Sequence, residues 1–359
     1  MKSPLEFSQE LTKISQRLIS KVLDTLREGA IVTNDDTQII VANQVARNAF
    51  IRLNLPLEKM RISEVFRDIT VHKAFRKALD EKIASEIDFE FITNEKRVYR
   101  VCVSPLEIEK LNLAIGIFYN VTEIERLERI RQEFLSNVSH ELRTPLTSIL
   151  AFVETLEEGA IDDAAHNRKF LSIIRKNVER MHRLIEDILE LSSIEAGKIA
   201  IQPQKLNLSK IVEEVFVNLA NKAKDKKISL KNSVKEEVFV FADAIRLEQM
   251  LTNLVDNAIK FNRENGLVEV FHQQDKDYDF IFVKDTGDGI SAEHLPRIFE
   301  RFYRTDKARS LQNASGTGLG LAIVKHLARL HSGEVGVSSS PGEGSTFWIK
   351  LPKEPISKN

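Results

Sequence analysis

Apolar residues recur along this chain with changing period, and the changes divide it into segments. Over residues 5–23, Phe7, Leu11, Ile14, Leu18 and Val22 stand three to four apart, which predicts an amphipathic helix. Such a helix suits packing on its own domain or pairing with a second copy as a short coiled coil. From about Leu26 the period shortens. Residues 30–33 and 38–41 read as strands on either side of the turn-forming Asn34-Asp35-Asp36. Helical stretches follow to about residue 85, and strands return over 88–93, 97–104 and 113–119. Strands, short helices and then an antiparallel run predict a small α+β domain over residues 24–121.

At Thr122 the helical period resumes. Thr122 and Glu125 have the spacing of a capping box, which announces a helix. Ile124, Leu127, Ile130, Phe134, Val138, Leu142, Ile149, Val153 and Leu156 keep one apolar stripe until Gly159 ends it. A second stripe over about 166–195 runs through Phe170, Ile173, Ile174, Val178, Met181, Leu184, Ile188 and Leu191, and stops at Gly197. Residues 122–197 therefore predict an antiparallel helical hairpin. Two helices cannot enclose such stripes alone, so pairing with a second copy into a dimeric four-helix bundle is expected, making the chain a homodimer. Beyond it, residues 198–352 alternate strands (near 199–202, 228–232, 237–241, 267–274, 279–285, 334–339 and 345–351) with helices (near 209–226, 243–261, 293–298 and 318–332). Asp243 and Ser291 are the expected caps of two of these helices. That pattern predicts an α/β sandwich, one helical layer on one sheet, followed by a tail over 353–359.

Composition narrows the function classes. The chain has 359 residues, 42% of them hydrophobic, enough for more than one core. Lys and Arg (52) nearly balance Asp and Glu (53), and no basic run is interleaved with aromatics, so nucleic acid is not an expected partner. Cys102 is the single cysteine, which permits no internal disulfide and fits a reducing, cytoplasmic setting. On a strand it reads as a small core residue more readily than as a redox sensor. His72 alone in the first domain does not support a haem site. No stretch reaches the roughly 18–20 apolar residues of a membrane span. A membrane anchor is expected only if upstream segments are missing.

The chemistry concentrates in a few short motifs. In Ser139-His140-Glu141-Leu142-Arg143-Thr144-Pro145-Leu146, His140 falls off the apolar stripe and faces solvent, where a neutral imidazole is a competent nucleophile. Glu141 can orient the ring or accept its proton, and Thr144 lies one turn along the same face, placed to position a water. Pro145 removes the amide that would bond the Glu141 carbonyl, so the helix is expected to bend or loosen there. Downstream, Asn253, Asn257 and Lys260 share one helix face at spacings of four and three, with amide oxygens suited to magnesium and a cation suited to phosphate. Asp285-Thr286-Gly287-Asp288-Gly289 follows a strand, offering an acceptor-only carboxylate and close backbone approach. Phe299 to Arg304 bring aromatics and a cation ahead of a polar stretch, 305–315, that reads as a lid. Gly316-Thr317-Gly318-Leu319-Gly320 opens a helix with free amides, a phosphate cradle.

In this order the motifs resemble the H, N, G1, F and G2 boxes of sensor histidine kinases. The entry Gly29-Ala30-Ile31-Val32-Thr33-Asn34 with Ala42-Asn43 resembles a PAS sensor domain. Where that family usually carries Asp-x-Thr at its exit, this chain has Asn120-Val121-Thr122. The resemblance implies a Bergerat-type ATP-binding domain, with ATP and Mg2+ as cofactors. It implies that Asn257 coordinates magnesium, Asn253 lines the phosphate side and Lys260 contacts phosphate. Asp285 would read adenine, flanked by Gly287 and Gly289. Gly316, Gly318, Leu319 and Gly320 would hold the phosphates, and Arg304 and Lys307 would close over them. It further implies autophosphorylation of His140 and transfer to an aspartate of a response regulator receiver domain in trans, with Thr144 serving the reverse dephosphorylation. A non-signalling ATPase of the same nucleotide fold would lack His140 in such a hairpin, and a degenerate scaffold would have lost Asn257, Asp285 or the glycines.

Overall fold

A computed structural model of the chain describes residues 21–50, 56–92, 95–108, 111–305 and 316–354. Apart from residues 21–23, which are helical, the expected amino-terminal helix lies outside the described residues. The chain divides into two compact units, Met1–Glu133 and Phe134–Asn359.

In the first unit, β1 (Gly29–Thr33) and β2 (Ile39–Ala42) lead to α1 (Gln44–Phe50), α2 (Ile62–Val65) and α3 (Ile69–Asp80). Three longer strands follow: β3 (Ser85–Ile92), β4 (Lys96–Ile108) and β5 (Leu111–Asn120). They form one antiparallel sheet of order β2-β1-β5-β4-β3. Its inner face packs on α1 and α3 through a cluster of rings, Phe50, Phe66, Phe89, Phe91, Tyr99 and Phe118, with centroids 4.9–6.4 Å apart. Edge-on and stacked rings fill space densely, so this interior is a packed core. Asn43, fully buried, ties the start of the domain together. Its Oδ1 accepts from the Ala30 and Ala46 amides, and its Nδ2 donates to the Leu23 and Glu28 carbonyls.

Two features of this unit answer questions left by the sequence. Cys102 is half-buried on β4, and burial, then the neighbouring Glu86 carboxylate, pushes its thiol above the usual range. That disfavours the reactive thiolate. His72 Nε2 lies 2.5 Å from the Phe66 carbonyl and is held as a structural residue.

The helix α4 (Thr122–Thr155) starts differently from the expected capping box. Thr122 Oγ1 and its amide both donate to Asn120 Oδ1 (2.6 and 3.1 Å), and Thr122 Oγ1 accepts the Val98 amide at 3.0 Å. Asn120 thus supplies the acceptor that a carboxylate would supply, and Glu125 is not needed. The helix runs unbroken through Pro145, which is buried. The proline therefore removes one rung without ending the helix. A single π-type turn, Leu156–Ala160, follows, with Gly159 at φ 118°, and then α5 (Asn167–Glu195). The hairpin is held by Phe152 against Phe170 (5.4 Å) and by Asn177 donating to Ser148.

The rest of the second unit is an α/β layer structure: β6 (Gln204–Asn207), α6 (Leu208–Asp225), β7 (Ser229–Asn232), β8 (Phe239–Ala242), α7 (Ala244–Lys260), β9 (Leu267–Gln274), β10 (Tyr278–Asp285), α8 (Gly320–Leu330), β11 (Glu334–Ser340) and β12 (Gly344–Pro352). The main sheet has order β11-β12-β10-β9-β7, antiparallel except for the β7–β9 pair. The helices α6, α7 and α8 bury their apolar faces against it. Asp243 caps α7 by accepting the Arg246 amide. Two expectations fail here. The strand expected at 199–202 forms instead at Gln204–Asn207, pairing with β8 in a separate small sheet. Pro203 offers no amide to carry that ladder backwards. The helix expected at 293–298, with Ser291 as its cap, is a series of turns, whose amides of His294, Arg297 and Glu300 each bond the carbonyl three residues back. Pro296 supplies no amide for an α-helical rung, and this short run has no long flanking helix to carry the ladder past it as α4 does around Pro145.

Candidate functional site

A cleft of about 320 Å³ opens in the second unit. The apolar face of α7 decides what faces it. With Leu247, Met250, Leu251, Leu254, Val255, Ala258 and Ile259 buried, Asn253, Asp256, Asn257 and Lys260 are left to line the cleft. Lys260 is itself largely buried. Burial, then the nearby charge of Arg304, lowers its ammonium to about 8. Asp256 ion-pairs with Lys222 at 2.5 Å.

Asp285 ends β10 at the opposite wall. Its Oδ1 accepts the amides of Gly287 (2.8 Å) and Ser345 (3.2 Å), and among the described residues no protein donor takes Oδ2. Burial raises this carboxyl above its usual range. Gly289, at φ 70°, packs so close to the Ser340 carbonyl that a Cβ could not be accommodated. The glycine turn before α8 closes the third side. Gly318, at φ 73°, lies against the Phe302 backbone, and Phe302 in turn adopts φ 60° and donates its amide to the Gly318 carbonyl at 2.9 Å. A non-glycine residue held at positive φ costs energy, so the F-box segment and the glycine turn hold each other in place. A side chain at Gly316 would meet Lys260 Nζ, and one at Gly320 would meet Asn253 Oδ1 at 3.2 Å. Leu319 is buried and anchors the start of α8, its amide donating to Thr317 Oγ1. Asn253, Asn257, Lys260, Asp285, Gly289, Arg304, Gly316, Gly318 and Gly320 thus line one cleft. Gly287 lies behind its wall, against the Phe261 carbonyl. Lys307 lies outside the described residues.

On α4, His140 is exposed, as its place off the apolar stripe requires. Glu141 does not bond it. Its Oε2 accepts from Arg180 Nη2 at 2.7 Å. Thr144 shares the face of His140, and its hydroxyl donates to the His140 carbonyl at 3.2 Å.

Comparison with known proteins matches both halves of this arrangement. Residues 130–197 match the His kinase A phospho-acceptor domain, and residues 242–355 match the histidine kinase-, DNA gyrase B- and HSP90-like ATPase family. The sensor protein kinase WalK of Staphylococcus aureus is 32% identical over 355 residues, which is 97% of this chain and 84% of that protein. The chain belongs to the sensor histidine kinases. WalK of Bacillus subtilis (strain 168) is 31% identical over 356 residues, and there the chain spans only 57% of the relative's length. Among solved structures, histidine kinase ThkA in complex with response regulator protein TrrA covers 94% of this chain at 24% identity and a TM-score of 0.52, a likeness of fold. No helix among the described residues is long and apolar enough to cross a membrane.

The fold also places in the cleft residues that sequence reasoning did not single out. Arg180, Arg183 and Asp187 of α5 line it, so the hairpin supplies one wall. Asp187 Oδ2 accepts from Thr317 Oγ1 at 2.7 Å, and burial raises the Asp187 carboxyl above its usual range. Further along α5, Glu190 accepts from Arg246 (2.7 Å) and Gln249, and Glu195 pairs with Arg301. Phe134 of α4 packs on Phe302 at 5.7 Å, with the Arg301 guanidinium over its ring. In sequence, Arg180, Arg183 and Asp187 signal only a polar helix face at spacings of three and four. Their role as a wall depends on docking.

Proposed function

We propose that this chain is a homodimeric sensor kinase that phosphorylates its own His140 from Mg-ATP. It then passes the phosphoryl group to an aspartate on a separate response regulator. The observation that carries this reading is the meeting of Asn253, Asn257, Lys260, Asp285 and the glycine turn in one cleft, in the same compact unit that exposes His140. In this reading residues 24–121 are a PAS-like sensor module, 122–197 the dimerisation and phosphoacceptor hairpin, and 198–352 the ATP-binding domain. Support for the sensor assignment is the single antiparallel sheet covered on one face by short helices.

The residues suit these tasks chemically. Asp285 Oδ2 is an acceptor for the adenine amino group. The free amides at the start of α8, with Lys260 and Arg304, favour the phosphates. Asn257, with Asn253 beside it, offers the neutral oxygen that a magnesium ion held mainly by substrate phosphates uses. Bound there, the ion would neutralise charge on the phosphates. His140 attacks the γ-phosphorus in line, and Glu141, its neighbour in the chain, is the carboxylate that receives the imidazole proton. Thr144 then orients water toward the regulator's phosphoaspartate.

Incubation with labelled ATP tests this. The wild-type chain should acquire acid-labile, base-stable phosphate, and His140→Gln should acquire none while still binding ATP. Acid-labile label on His140→Gln would overturn the assignment.

A further inference from the structure

Arg180 links the cleft to the acceptor helix. It sits on α5 with Arg183 and Asp187, on the face that lines the cleft. Its guanidinium also bonds Glu141, the residue beside His140, at 2.7 Å. Both partners are partly sheltered, with 26% and 28% of their side chains exposed. The Arg180 charge is felt at Lys260 as well, where it helps to lower the ammonium. One guanidinium therefore lines the cleft that holds Lys260 and also bonds the acceptor's neighbour.

Two physical consequences follow. Arg180 lines the cleft together with Lys260 and Arg304, and a cationic lining favours a polyanionic ligand such as a phosphate chain. A guanidinium presents several donors in a planar fork and binds either a carboxylate or a phosphoryl group. Glu141 and a γ-phosphoryl group therefore compete for the same donor.

Resting on the phosphotransfer reading above, we propose that Arg180 is a further catalytic residue, which exchanges Glu141 for the γ-phosphoryl group as that group moves to His140. As the imidazole lone pair forms the N–P bond, the bond between phosphorus and the β–γ bridging oxygen breaks, and its electron pair leaves on ADP. Negative charge spreads over the transferring group, where Arg180 stabilises it. Glu141, released from its ion pair, is then a stronger base and takes the proton from the other ring nitrogen. One residue thus couples the arrival of phosphate to activation of the acceptor. An arginine supplied to a transferring phosphoryl group typically accelerates transfer by about 10³–10⁵-fold.

The test is single-turnover phosphorylation of the full chain with labelled ATP, alongside equilibrium binding of ADP. Arg180→Ala should lower the rate constant at saturating ATP by roughly 10²–10³-fold, with ADP affinity within about twofold of wild type. Arg180→Lys should recover roughly tenfold of that loss, since charge returns without the fork. Glu141→Gln provides the background that separates catalysis from scaffolding. There, Arg180→Ala should still slow transfer at least about tenfold, through the lost phosphoryl contact. The proposal is overturned if Arg180→Ala transfers at the wild-type rate, if ADP affinity falls in parallel, or if the substitution has no further effect once Glu141 is neutral. Failure of the wild-type chain to label His140 would instead sink the kinase reading itself.

Discussion

Along α5 and along α7, apolar side chains recur with the same helical spacing and meet opposite fates. In α7 the whole stripe is buried, from Leu247 to Ile259. In α5 only Leu184, Leu191 and Ile194 are, while Leu171, Val178, Ile185 and Leu189 are 45–62% exposed. The facing helix α4 repeats this at Leu146 and Leu150. Burying a side chain of this size stabilises by about 1.5–3 kcal/mol, so the hairpin leaves a large favourable term unused. The α/β layers close their core within one chain, and the hairpin presents half of one. A second copy supplies the other half in the homodimer proposed above.

The largest effect should come from breaking that half-core. Leu150→Glu together with Leu171→Glu puts two charges per chain, four per dimer, into an apolar seam. It should weaken association by roughly 10³-fold, measured by analytical ultracentrifugation, while ADP affinity stays unchanged. A wild-type chain that sediments as a monomer would collapse the comparison. The closed core has its own test. Asp285→Ala should lower ADP affinity by roughly 100-fold in calorimetry, with the dimer intact.

A third test uses pH. Because the folded chain holds Lys260 at about 8, below the ordinary lysine value of 10.5, the unfolded chain binds more protons between these values. This group therefore adds stability as pH rises through that window, and its burial costs stability below it. Phosphates beside the ammonium favour its charged form, so nucleotide binding should take up a proton above pH 8. ATP-analogue affinity should fall roughly tenfold between pH 7 and 9, and Lys260→Met should flatten the profile. The smallest change returns to the hairpin. Thr144→Ala should slow regulator dephosphorylation by roughly tenfold, with autophosphorylation within about twofold. Equal loss of both would remove Thr144 from the site.

The elements easiest to read were those with an uninterrupted period. The stripes of α4 and α5, the strands at Leu267–Gln274 and Tyr278–Asp285, and the face shared by Asn253, Asn257 and Lys260 all follow from local spacing. Misreadings fell where a proline or a non-local partner intervened. Pro296 turned an expected helix into successive turns, and β8 drew β6 to Gln204–Asn207 rather than 199–202. At Thr122 the spacing to Glu125 suggested a box, yet Asn120 and Val98 supplied the partners.

The sequence alone determined which side chains could do chemistry: an exposed histidine off an apolar stripe, amide and lysine side chains on one helix face, and glycines where backbone must approach closely. Each depends on neighbours within a turn or two, so spacing suffices. Only the tertiary structure decided that α5 forms a wall of the cleft, that Asp187 holds Thr317, and that Arg180 rather than His140 bonds Glu141. These contacts join residues 39 and 130 positions apart. No local period encodes such a distance. It is set by how the hairpin and the α/β layers bury their remaining apolar faces together.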